Sequence, residues 1–263
     1  MSLNTSASAE KRGHAGQAMA LVAWVWAISG AVICAQADDR PFLRTTNALA
    51  ADDDDGWEVS STLLANRKGQ ALSVQIEHDL SATQRLEVEF GKTTRADAPE
   101  PEQGLRLRSL WVSPAVAGWG LATKLGMEPR SPAGPERWQA LLALSVPSLH
   151  ERLWLHANWG LQWRRGDLRR DDASRDEAGQ APVGERRTLV GSLAGQYALS
   201  SQRTLYLEAA GSRDGLDRLL HLGVRHWLVP HKLALDVGGG RQNGAERTGG
   251  FVAVNLSFFD LNF

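Results

Sequence analysis

Cysteine is almost missing from this chain: among 263 residues there is one, Cys34. No disulfide framework can therefore be drawn from it. Charge of one sign is lacking as well. The formal net charge is -1, so no overall field points to nucleic acid or another polyanion. Tyrosine is scarce at 2, whereas tryptophan reaches 10. Metal-ligand spacing, a phosphate loop and a nucleotide fingerprint do not occur. The run Gly238-Gly239-Gly240 follows a strand pattern but opens no helix, so it reads as a bend. Neither a cofactor nor a metal is expected.

Long hydrophobic runs are confined to one stretch, MALVAWVWAISGAVICAQA, preceded by Lys11 and Arg12. It ends in Ala35-Gln36-Ala37, the small-x-small pattern of a signal peptidase site. Residues 1–37 are expected to be a signal peptide, although Met19 to Ala35 also approaches the length of an anchor helix. Cys34 would leave with the leader, and Ile33 before it is too bulky for the usual lipidation site. Residues 38–55, DDRPFLRTTNALAADDDD, hold no period and end in four aspartates. They are expected to form a solvated periplasmic lead-in.

From Trp57 onward the apolar positions step by two. In QALSVQIEHDL, Leu72, Val74, Ile76 and Leu80 alternate with Ser73, Gln75, Glu77 and Asp79. ERLWLHANWGLQWR sets Leu153, Leu155, Ala157, Trp159, Leu161 and Trp163 against His156, Asn158, Gln162 and Arg164. Such alternation marks strands with one apolar and one polar face, and no helical period competes with it. Twelve strands are predicted, near 56–66, 70–80, 85–94, 104–113, 118–129, 138–147, 152–165, 187–199, 203–212, 218–228, 232–241 and 250–263. Short turns join them at one end; several connections at the other are long and polar, such as GDLRRDDASRDEAGQAPVGE.

A soluble sandwich and a transmembrane barrel share this period. In the first the apolar face is buried; in the second it meets lipid and the polar face lines a lumen. Export, an even strand count and loops of alternating length favour an all-β, antiparallel up-and-down barrel over residues 56–263. Aromatics near strand ends are read as membrane girdles: Trp57, Trp111, Trp119, Trp227 and Phe263 at the short-turn side, Trp138 and Trp163 opposite. The closing strand GGFVAVNLSFFDLNF ends in an aromatic, as an assembly signal would; its parity switches near Ser257, where a bulge is expected. Charge placement agrees. An arginine or lysine facing mid-membrane lipid costs about 2–4 kcal/mol, and Arg106, Arg108, Lys124 and Arg225 all oppose their strands' apolar sets. His78 and His226 have lipid-facing parity, near strand ends.

The candidate lumen residues are Glu87, Glu89, Arg106, Arg108, Lys124, His156, Glu208, His221, Arg225 and Asp236. Symmetric closure of the short turn at Pro230 sets Arg225 opposite Asp236, and a similar closure around Asp214 sets Glu208 opposite His221. Two readings stay open: a lining that passes a solute, and a cross-strand network that fills a narrow barrel. A lipid hydrolase would place serine and histidine together on the lipid-facing rim. No serine stands beside His78 or His226 in a recognisable motif, so the chain is not expected to be an enzyme.

GWEVSSTLLANR, DLSATQRLEVEFG, YALSSQRTLYLEAAG and RLLHLGVRHWLVPHKLALDVGGG resemble the outer-membrane barrels associated with the meta-pathway of phenol degradation. The resemblance covers most of the chain from Trp57 but consists of hairpin grammar without a catalytic signature. It implies a porin-like channel or transporter for a small, aromatic or hydrophobic solute in the outer membrane of a Gram-negative bacterium. The expected partners are outer-membrane lipid and, through the C-terminal strand, the barrel assembly machinery; no nucleic acid is among them.

Overall fold

Each alternating segment can bury only one of its faces and satisfies its backbone only by pairing on both edges. The computed structural model meets both demands by closure. It describes residues 42–49, 56–94, 104–129, 136–149, 152–167, 183–215, 217–244 and 248–261. The leader expected at 1–37 and the girdle residue Phe263 lie outside them. The strands are β1 (Trp57–Ala65), β2 (Gln70–Ser81), β3 (Gln84–Thr93), β4 (Gly104–Val112), β5 (Gly120–Glu128) and β6 (Glu136–Ser148), then β7 (Leu153–Asp167), β8 (Val183–Ser200), β9 (Arg203–Ser212), β10 (Asp217–Val229), β11 (Leu233–Gly244) and β12 (Thr248–Leu261). They form one closed barrel in sequence order, with β1 paired to β12. A four-residue helix, α1 (Pro114–Ala117), occupies the β4–β5 turn.

The exterior is greasy and the interior polar. Phe90 is 61% exposed and Leu193 65%, whereas Glu208 is 0% and His221 1% exposed. That inversion rules out a soluble sandwich and gives a transmembrane antiparallel up-and-down barrel. Even β1, with 9 residues, reaches across the apolar band, which needs about 9–11 tilted residues. The purified protein is expected to migrate differently on a detergent gel before and after boiling. A single position under both conditions would contradict a closed, detergent-resistant barrel.

Two expectations are corrected. Parity does not switch at Ser257: Phe251, Ala253, Ser257 and Phe259 are all buried on the inner face. The irregularity lies further on, where Trp57 pairs with Leu261 but Val59 with Phe258, so three steps on β12 match two on β1. Asp260, at φ 55°, absorbs the extra residue. Trp227 is also misplaced by the girdle reading. It is 4% exposed and packs inside the barrel with Ala234 and Phe259. Its parity is that of Arg225, whose guanidinium carbon lies 5.6 Å from both the Trp227 and the Phe259 ring centroids. Trp57, Trp111, Trp119 and Trp138 are exposed, and Trp163 is half-buried.

The glycines of β10 and β11 are spacers. A Cβ on Gly223 would lie 2.3 Å from the Tyr206 hydroxyl, and one on Gly240 2.9 Å from the tip of Phe251. The run read as a bend is regular strand whose missing side chains make room for Tyr206, His221 and Phe251 in the lumen.

Candidate functional site

Residues 38–55 were expected to be a solvated lead-in, and for 42–49 the structure overturns this. Phe42 and Thr45 to Leu49 are buried; Leu43 and Arg44 are half-buried. This strap lies within the barrel. Its apolar side chains find luminal partners: Phe42 meets His156 and Tyr206 edge-on, at 5.4 and 6.2 Å between centroids. Leu43 packs on the inward-facing cluster of Leu219, Phe251 and Ala253, beside Leu64 and Ala210.

The strap's backbone is satisfied by strand side chains, as a buried chain without its own ladder requires. One carboxylate takes most of the load. Glu208 Oε2 accepts the Leu43 N–H at 2.8 Å, and Oε1 accepts those of Arg44 at 2.8 Å and Thr45 at 2.5 Å. Further along, Arg108 Nη1 donates to Asn47 Oδ1 at 2.8 Å. Ala48 N–H donates to Ser145 Oγ at 2.7 Å, and that hydroxyl lies 2.8 Å from His156 Nδ1. At Gly120 the fit is tightest: a Cβ there would fall 1.8 Å from the Ala48 carbonyl oxygen.

The structure places all ten candidate lumen residues on the inner face, Glu89 included at 11% side-chain exposure. It sorts them into separate groups. Arg225 stands opposite Asp236 and binds it through two bonds, 2.8 Å from Nε and 3.1 Å from Nη2. His221 stands opposite Glu208, with Nδ1 3.8 Å from Oε2. Lys124 pairs with Glu87 and Arg106 with Glu89, each at 2.8 Å. Arg108 and His156 instead belong to the strap's seat.

A second ionic cluster escaped the sequence reading. Arg85 bonds Asp79 at 2.6 Å and reaches Glu77 and Glu58, each at 3.1 Å. Its signal was present in the alternation of β2, where Glu77 and Asp79 share the inner parity. The lipid-facing histidines are placed apart: His78 stacks on Trp57 at 4.2 Å between centroids, and His226 Nδ1 lies 3.2 Å from the Gln202 carbonyl oxygen. Among the described residues no group of three metal-ligating side chains comes together.

Above the strap lies a cavity of about 150 Å³. Phe42, Leu43, Arg44 and Thr45 line it beside strand residues. One wall is apolar, with Leu64, Leu219 and Ala253; another carries Glu89, Arg106, Lys124 and Arg137; Asn158 and Ser192 stand between. Asn158 and Ser192 are buried, and neither side chain has a hydrogen-bond partner among the described residues. A lumen that mixes an apolar wall, a charged wall and unused amide and hydroxyl groups can hold a small solute carrying both kinds of surface.

No family description matches the sequence, and no curated protein matches it either. Solved structures do match in fold. The NanC porin is 8% identical, with a TM-score of 0.56 over 77% of this chain and 98% of that one. A KdgM porin is 12% identical, with a TM-score of 0.53 over 76% and 98%. An outer-membrane channel from Pseudomonas putida F1 is 12% identical, with a TM-score of 0.51 over 80% and 97%. The fold is that of porin-like outer-membrane barrels.

Proposed function

We propose that this chain is a non-enzymatic outer-membrane channel for a small solute, held shut at rest by residues 42–49. One observation carries the reading: part of the luminal cavity's floor is a separate stretch of chain, residues 42–45, that belongs to no strand. A floor of that kind can leave without breaking the barrel. The fold shared with porins supports the outer membrane of a Gram-negative bacterium as its place, reached by export and inserted by the assembly machinery through β12. The apolar wall formed by Leu64, Leu219 and Ala253 supports a solute with a hydrophobic, single-ring-sized body. A cavity of about 150 Å³ matches the size of an engineered cavity that takes up one benzene. The resemblance to barrels of phenol catabolism points the same way.

A second reading has its own support. The short-turn end is tightly filled by Trp227, Phe259, Arg225 and the Arg85 cluster, which favours a closed barrel that presents its loops to a partner. Planar-bilayer recording separates the two. The full-length protein is expected to give infrequent discrete conductance steps, and proteoliposomes to swell slowly in small solutes. A silent bilayer and no swelling, even after the strap's seat is disrupted, would eliminate the channel and leave the structural barrel.

A further inference from the structure

The register of β6, β7 and β8 creates an arrangement that a sheet ordinarily avoids. Arg137 is the direct cross-strand partner of Arg164, and Arg164 of Arg186. Arg137 shares parity with Gln139 and Leu141, Arg164 with Gln162 and Asn158, and Arg186 with Thr188 and Ser192. All three therefore stand on the luminal face, in one row at the long-loop end. Directly opposed like charges destabilise a sheet. Polar neighbours temper the row: Arg137 meets Glu128 at 3.3 Å, Arg186 meets Asp214 at 3.2 Å, and Arg164 Nε donates to Gln162 Oε1 at 3.1 Å.

The excess continues inward. Arg137 of the row lines the cavity, and below it Arg44, Arg106 and Lys124 do so with Glu89, Glu128 and Asp236. With Arg164, Arg186 and Asp214 at the mouth, and with Glu87 on Lys124 and Arg225 on Asp236 included, seven cations face five carboxylates among the described residues, a surplus of two. Glu208 does not offset this, because it is fully buried beneath the strap and bound to three backbone N–H groups. Asp236 is already held by Arg225. Among the described residues Arg44 meets a carboxylate only through its backbone N–H. Low-dielectric walls focus such a surplus and raise the local concentration of anions.

We propose that the row Arg137, Arg164 and Arg186 is the entry site for an anionic solute, a small organic carboxylate. Its head passes down the charged wall towards Arg44 while its body lies against Leu64, Leu219 and Ala253. This deepens the channel reading and rests on it for passage, but binding in the cavity requires no conductance. A guanidinium row suits a carboxylate because its planar fork can donate two parallel hydrogen bonds. Asn158 and Ser192 offer further donors to the same head.

The test is calorimetric titration of the detergent-purified full-length barrel with two probes of one ring and opposite charge, benzoate and benzylammonium. Benzoate is expected to bind at least tenfold more tightly. The triple variant Arg137→Gln, Arg164→Gln and Arg186→Gln is expected to lose that preference while keeping its gel shift on boiling. The corresponding triple lysine variant, which keeps the charge, should retain most of it. Equal or tighter binding of benzylammonium, no binding of either probe, or an undiminished benzoate preference in the folded glutamine variant would each overturn the proposal. Benzoate binding in a barrel that never conducts would instead overturn the channel reading and leave this site standing.

Discussion

Replacing Glu208 with leucine is expected to raise the mean conductance of the reconstituted barrel at least tenfold. The reason is concentration of function in one side chain. Glu208 accepts three consecutive strap N–H groups at 2.5–2.8 Å, while its own strand remains held by the ladder to β8 and β10. Hydrogen bonds to a charged group contribute about 1.5–3 kcal/mol each. A tenfold change in a population needs about 1.4 kcal/mol. Losing even one of the three bonds suffices, and leucine removes all of them. A leucine also leaves His221 without its carboxylate neighbour, so a second variant is needed that spares this cluster. Gly120→Val provides it. Its side chain would collide with the Ala48 carbonyl oxygen, 1.8 Å from the added Cβ, at the opposite end of the strap. Both variants are expected to keep the gel shift of a closed barrel and both to open. If each folds and conducts no more than the native protein, residues 42–49 do not close the channel.

The strap also shows where sequence reading stopped. Strands announce themselves locally, because neighbours two apart must share a face. All twelve were legible for that reason, as was the register of Arg225 with Asp236 across a short turn. The segment FLRTTNAL has no period, and the strand side chains that seat it come from far along the chain. Glu208 lies 163–165 positions away, Ser145 lies 97 and Arg108 lies 61. Nothing within the segment distinguishes a solvated lead-in from a luminal strap. Trp227 failed differently. Its parity matched Arg225, but its position beside a turn suggested a girdle, and the cation that draws it inward is visible only once both side chains are placed. The arginine row combined both problems: each member is an ordinary strand-end residue, and only the pairing of β6, β7 and β8 aligns them.

Replacing Arg85 with methionine is expected to cost the barrel about 3–5 kcal/mol, the usual effect of breaking a buried ion pair by removing one partner. Arg85 is 3% exposed and sits among Asp79, Glu77 and Glu58, drawn from the two strands before its own. Asp79 is bound at both oxygens, 2.6 Å from Nε and 2.8 Å from Nη2, which leaves Nη1 for the two glutamates. Without the guanidinium, three carboxylates would face one another, Glu77 and Asp79 buried and Glu58 only 19% exposed. The cost should therefore come from uncompensated charge rather than lost volume. Adding Glu77→Gln and Asp79→Asn to the methionine variant is expected to recover most of the loss, and Arg85→Lys to fall in between, since a single ammonium cannot hold this fork geometry. The exterior pair Arg187–Glu185 is an internal control: at 3.2 Å but 69% and 52% exposed, it should contribute no more than about 0.5 kcal/mol. Urea unfolding in detergent, followed by tryptophan fluorescence, measures all of these. A methionine variant within about 1 kcal/mol of the native barrel would show that the carboxylates are hydrated and that Arg85 does not fasten β1, beside the closing seam with β12, to β2 and β3.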